Sequence, residues 1–137
     1  MIGSIILMLL TTPPSFAEVS FSCLTKLNGK ISSCIEYDDK NFAAEKVKHF
    51  CAPAALELMP GLKQEKEFKN EKCTQANVIG ACTFKLGAID YAYKGSDSEK
   101  KIKRQLKAFK RGCERGGIFP TKNGSSKQKG TFSDKSS

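Results

Sequence analysis

The residues best equipped for chemistry are six cysteines, a single histidine and a short acidic cluster, and their spacing argues against catalysis. Cys23, Cys34, Cys51, Cys73, Cys82 and Cys113 form no C-x-x-C pair. An even count in a small chain predicts three disulfides, and cysteines held in disulfides are not nucleophiles. A structural zinc site would want closely spaced thiolates or imidazoles, and His49 is the lone histidine, so no metal site is expected. His49 also has no Gly-x-Ser-x-Gly serine to activate, and one histidine cannot run a two-histidine ribonuclease. Beside Val47 and Phe50 it reads as a partly exposed helix residue. Glu36, Asp38 and Asp39 are the one compact acidic cluster, but glycosidic chemistry needs carboxylates facing each other across a cleft. Neighbours on one strand and its turn instead cap the next helix or stay solvated. The expectation is no enzyme and no cofactor.

Charge is the second chemical signal. From Glu18 to Tyr93 ten lysines balance ten acids, whereas from Lys94 onward thirteen basic residues face four acidic ones, so this part carries the whole net charge of +9. Lys100, Lys101, Lys103, Arg104, Lys107, Lys110 and Arg111 are the candidate anion-binding residues, filling one helix wherever its apolar stripe leaves room. Many exposed charges together attract polyanions. The simpler reading is a solvated helix face, with Lys110, Arg111 and Arg115 complementing the helix dipole. The favoured partners are acidic lipid, lipopolysaccharide or another acidic polysaccharide; the alternative is an interaction protein or inhibitor docking another protein, with charge serving solubility or steering. Nucleic acid is disfavoured, because aromatic residues do not interleave with the basic ones and Phe109 belongs to the buried stripe.

These residues must be delivered and positioned. Ile2 to Leu10 is apolar apart from Gly3 and Ser4, Pro13-Pro14 breaks the run, and Ser15-Phe16-Ala17 has the small residues of a signal-peptidase site. The reading is a signal peptide at 1–17, a disulfide-rich domain at 18–119 and a disordered basic tail at 120–137. The leader lacks the usual basic start, since the first charged residue of the sequence is Glu18, just beyond it. Its apolar run is about half of the roughly 20 residues a membrane span requires. After cleavage the chain is expected to be secreted or periplasmic and not membrane-spanning, in an oxidising compartment that suits its cysteines.

The pattern predicts an α+β fold of order ββαββα: a disulfide-stabilised pseudo-repeat with one antiparallel sheet and both helices on one face. Phe21, Cys23 and Thr25 alternate with polar residues up to Asn28-Gly29, and Ile31, Ser33, Ile35 and Tyr37 continue on the return strand. A helix from about Asn41 presents Ala43, Val47, Phe50 and Ala54, with Pro53 ending or kinking it. Gln64 to Gln75 reads as a polar connection. In the second unit Val78, Cys82, Phe84 and Leu86 share one strand face and Ile89, Tyr91 and Tyr93 share one face of the next. Ser96 and Glu99 suggest a capping box. Ile102, Leu106, Phe109 and Cys113 form a single apolar stripe closed by Gly116-Gly117.

Register decides the disulfides. A two-residue Asn28-Gly29 loop would place Cys23 opposite Cys34 and split the apolar faces. A three-residue Leu27-Asn28-Gly29 loop pairs Phe21 with Ile35 and keeps them together, which a half-buried strand demands. Cys23 then points inward to Cys51 beside the first helix, Cys82 and Cys113 echo this pair, and Cys34 is left with Cys73.

Cys34-Ile35-Glu36-Tyr37 at a hairpin end, Gly80-Ala81-Cys82, and Cys113 followed by Gly116-Gly117 and Phe119 resemble small exported, Cys-rich bacterial proteins of unknown function. The resemblance spans roughly Cys23 to Phe119. It differs in Thr74, where a proline often follows the fourth cysteine, and in lacking Gly-Gly after Cys51. It implies no particular activity.

Overall fold

The first hairpin turns at Asn28 and Gly29, whose φ angles of 50° and 80° are the left-handed pair that a two-residue hairpin loop requires. In the computed structural model, which describes residues 20–51 and 56–136, this turn joins β1 (Ser20–Leu27) to β2 (Lys30–Asp38). The expected leader, together with Pro53 and Ala54, lies outside the described residues.

The three-residue loop expected here is not what forms. Leu27 pairs with Lys30, and an irregularity beyond Lys26↔Ile31 accommodates Ser32 as an extra residue, after which Thr25 faces Ser33, Cys23 faces Ile35 and Phe21 faces Tyr37. The bulge shifts register by one residue, so the apolar residues of both strands share a face despite the shorter turn.

After the hairpin come α1 (Ala44–Phe50), β3 (Leu56–Met59), β4 (Leu62–Lys69), β5 (Val78–Phe84), β6 (Ala88–Tyr93), α2 (Glu99–Arg115), β7 (Gly117–Thr121), β8 (Gly124–Gln128) and β9 (Thr131–Asp134). The sheet is antiparallel throughout, in the order β3-β4-β1-β2-β6-β5-β9, and β7 and β8 form a separate ribbon. The fold is mixed α and β, as expected, but its order is longer than ββαββα.

The extra strands lie where polarity concealed them. Residues 64–69 belong to β4, not to a connection; β4 pairs with β1 through its backbone and anchors itself with Phe68 opposite Cys23. The Asn28 N–H donates to the Lys63 carbonyl, and Asn28 Oδ1 accepts from the Lys63 N–H, both at 2.9 Å, locking this strand to the hairpin turn. The disordered tail is likewise overturned: its boundary at residue 120 falls inside β7, and Phe132 of β9 faces Cys82 and packs edge-on against Phe109, with ring centroids 6.0 Å apart.

The disulfides are Cys23–Cys51, Cys34–Cys73 and Cys82–Cys113, the pairs that the inward-facing Cys23 suggests. Each contributes about 2–4 kcal/mol, largely through the unfolded chain. Gly130 crosses the third one, with its N–H donating to the Cys113 carbonyl at 2.9 Å. A Cβ there would collide with both sulfurs and the Phe84 ring, so only glycine permits the approach.

One face of the sheet carries Phe21, Cys23, Tyr37, Cys82, Phe84 and Ala88 under Phe42, Val47, Cys51, Cys113 and Phe119. Both helices therefore cover the same side. Cys34 is buried on the other face with Leu24, Cys73 and Tyr93, because the segment after β4 crosses it. Glu36 Oε1 accepts from the Cys73 N–H at 3.0 Å and the Tyr93 hydroxyl donates to the Thr74 carbonyl at 2.7 Å, fixing that strap. Val78 joins this cluster rather than the face of Cys82, since a bulge follows it. Phe50 also departs from expectation: it is 62% exposed, and Phe42, before the helix, takes the buried role.

Candidate functional site

α2 runs as expected, with Leu106 and Cys113 buried and Ile102 and Phe109 packed at the margin. Its start differs from the expected capping box. Ser98 is the N-cap without a side-chain cap, and Ser96 Oγ instead accepts the Ser98 N–H at 3.1 Å. Gly116 closes the helix, its N–H donating to the Gly112 carbonyl.

Lys100, Lys101, Lys103, Arg104, Lys107, Lys110 and Arg111 are all exposed on this helix. Lys110 lies 4.0 Å from Glu114, and the other six have no carboxylate within ion-pair distance among the described residues. Like charges recur at four-residue spacing, as in Lys100/Arg104, Lys103/Lys107 and Lys107/Arg111, which costs a helix a few tenths of a kcal/mol per pair. The equally charged β4 is built differently, alternating lysine with glutamate and pairing Glu67 with Lys26 at 3.9 Å.

The acidic cluster is divided between structural tasks. Glu36 holds Cys73, Asp38 Oδ1 accepts the Asn41 N–H at 3.3 Å, and Asp39 is exposed. His49 is exposed on α1. Among the described residues no group of three or more His, Cys, Asp or Glu side chains could hold a metal ion, and no helix is long and apolar enough to cross a membrane.

A different acid occupies the centre of the sheet. On the helix-covered face a single row crosses six strands, Phe68, Cys23, Ile35, Asp90, Cys82 and Phe132, each facing the next. Asp90 is the one ionisable side chain in it. Its Oδ1 is buried and has no hydrogen-bond partner among the described residues. Burial pushes its carboxyl up to about 7. It lines a cavity of about 350 Å³ between β5, β6, α2 and β7, shared with Ile35, Phe84, Phe109, Phe119 and the Cys82–Cys113 pair. Burial, with the Asp90 charge adding to it, also raises the Tyr37 phenol.

Asp90 was hidden by assigning the β6 faces from Ile89, Tyr91 and Tyr93 alone. Those tyrosines do share the opposite face, with Tyr93 buried there and Tyr91 packed against it. The missed signal was the second turn: Phe84 pairs with Ala88 across Lys85-Leu86-Gly87, and counting outward sets Asp90 against Cys82.

No family model matches the chain, and neither curated proteins nor solved structures contain a match to it.

Proposed function

We propose that the protein is an exported, non-catalytic binding module that holds an anionic envelope or extracellular component against α2. The observation that carries this reading is the set of eight exposed cations on one helix, the seven candidates and Arg115, of which Lys110 alone has a carboxylate partner among the described residues. Solubility alone would be served as well by the balanced pattern of β4, without the repulsion that α2 sustains. The disulfide to Cys82 and the apolar stripe hold the helix in place against that repulsion. Three disulfides suit an oxidising compartment, which supports export.

The two halves support reading the chain as a pseudo-repeat. In each, a strand pair leads to a helix, the first strand is bonded to the helix or its C-cap by a disulfide, and a later strand returns beside the first. The elements common to both halves are then ββα and the returning strand, β4 or β9, with β3 added in the first half and the β7–β8 ribbon in the second.

A salt series on vesicles containing phosphatidylglycerol tests the anion reading. Retention is expected to fall steeply with salt, because binding through many charges is screened. Lys103→Glu, Arg104→Glu and Lys107→Glu together should abolish it, whereas retention unchanged by these reversals rejects it. The alternative, docking to another protein, draws on the exposed Phe50, Met59 (60% exposed) and Ile118 (65% exposed).

A further inference from the structure

We propose that the cavity beneath α2 binds a small organic cation, an ammonium on an apolar body, with Asp90 as counter-charge and Phe84, Phe109 and Phe119 around the hydrocarbon. The argument begins with an unmet requirement. A buried carboxylate oxygen without a donor is unfavourable, and native interiors rarely leave one. The mirror position in the row, Ile35, shows that an apolar side chain fits beside a disulfide cysteine at this level of the sheet. The acid is therefore not demanded by the framework.

Among the described residues that line the cavity there is no cation. Elements packed around Asp90 present Ile35 and Tyr37 from β2, Cys82 and Phe84 from β5, Phe109, Gly112 and Cys113 from α2, and Gly116 to Phe119 beyond it. The ionisable groups coupled to Asp90 are phenols: burial raises Tyr37, and burial first, then neighbouring charges including Asp90, pushes Tyr93 up to about 12. Both are neutral where Asp90 ionises. The basic residues of α2 lie on its exposed side.

What remains is a half-buried aspartate, one of its oxygens fully buried, in the wall of a cavity lined by three aromatic rings. Ring faces attract cations, and the attraction strengthens when the cation is desolvated. A cavity of about 350 Å³ falls at the small end of ligand-binding sites. Gly112 also lines it, and a Cβ added there would meet no atom within 4 Å. Packing does not require glycine at that point of the helix, and its presence leaves that wall of the cavity low.

Three isosteres test the proposal by calorimetry on the disulfide-intact protein: phenethylamine, 2-phenylethanol and phenylacetate. Phenethylammonium should bind at about pH 8 with at least about tenfold preference over the alcohol, and its affinity should drop about tenfold or more by about pH 5.5, as Asp90 takes up a proton. Asp90→Asn should remove that preference while keeping the alcohol's affinity. Gly112→Leu, which adds bulk at the cavity wall and leaves the Asp90 charge in place, should weaken both ligands. Equal binding of amine and alcohol, preference for phenylacetate, no amine binding, or full amine affinity in Asp90→Asn each overturns the proposal.

Discussion

Two disulfides in this protein tie a strand to a helix or its C-cap, and their surroundings differ. In the first, β1 is bonded through Cys23–Cys51 to the C-cap of a seven-residue helix, and its row position beside the centre is Ile35. In the second, β5 is bonded through Cys82–Cys113 to a seventeen-residue basic helix, and the matching position is Asp90. Flanking residues correspond as well, with Phe68 opposite Cys23 and Phe132 opposite Cys82. The strand-to-helix cross-link and its phenylalanine are thus the common scaffold. The excess positive charge and the partnerless Asp90 oxygen belong to the second region, and the cavity opens between it and Ile35.

The largest test of that contrast removes the cross-links. Sequence separations of 28 and 31 residues predict nearly equal losses, about 3.6 kcal/mol each, if the unfolded chain bears the effect. The helices should respond differently. Cys23→Ala with Cys51→Ala should unfold α1 locally, since Val47 is its one buried residue, whereas Cys82→Ala with Cys113→Ala should leave α2 held by Ile102, Leu106 and Phe109. Amide hydrogen exchange distinguishes these outcomes, and equal loss of protection in both helices would mean that the halves are not anchored differently.

The next effect follows from the central pair, Ile35 and Asp90. Because folding raises the Asp90 carboxyl to about 7, the folded state binds more protons than the unfolded one between about pH 4 and 7. The contribution of Asp90 is therefore fully present below the unfolded value and is lost as pH rises through that window, by roughly 2 kcal/mol or more. Asp90→Asn should flatten this limb of the denaturation profile. Ile35→Val, which removes a methylene and no charge, should lower stability by about 1 kcal/mol without changing the slope. A profile identical in wild type and Asp90→Asn would show that Asp90 titrates normally.

The same contrast explains how much was legible in the sequence. Cysteine pairing could be reasoned out because Cys23 and Cys82 each sit in an alternating apolar strand and must face a helix. The α2 stripe was plain for a similar reason: Leu106 and Cys113 are spaced for one buried face. The polar strands were not legible. β4 and β9 are recruited by backbone pairing to strands already in place, each secured by a single phenylalanine, and no apolar period marks them. Gly130 looked like a tail glycine because its constraint is a disulfide far away in sequence. Asp90 required a register count through Gly87, since its own neighbours, Ala88 and Ala92, are too small to announce a buried face.

The smallest predicted effect, Gly112→Ala, separates stability from binding within the second half. Glycine inside a helix is less favourable than alanine by about 0.5–1 kcal/mol. A Cβ at residue 112 meets no atom within 4 Å, so nothing offsets the gain, and the variant should be more stable by about that amount in urea denaturation. Its N–H and carbonyl are untouched, which leaves the Gly116 cap bond in place. A single methyl is also too small to close a cavity of about 350 Å³, so amine binding should persist where Gly112→Leu weakens it. A destabilised alanine variant would mean that the open space beside residue 112 is needed by the fold itself. Stability gained with binding retained would mean that glycine there is not a requirement of packing, and would leave room for the ligand as its physical use.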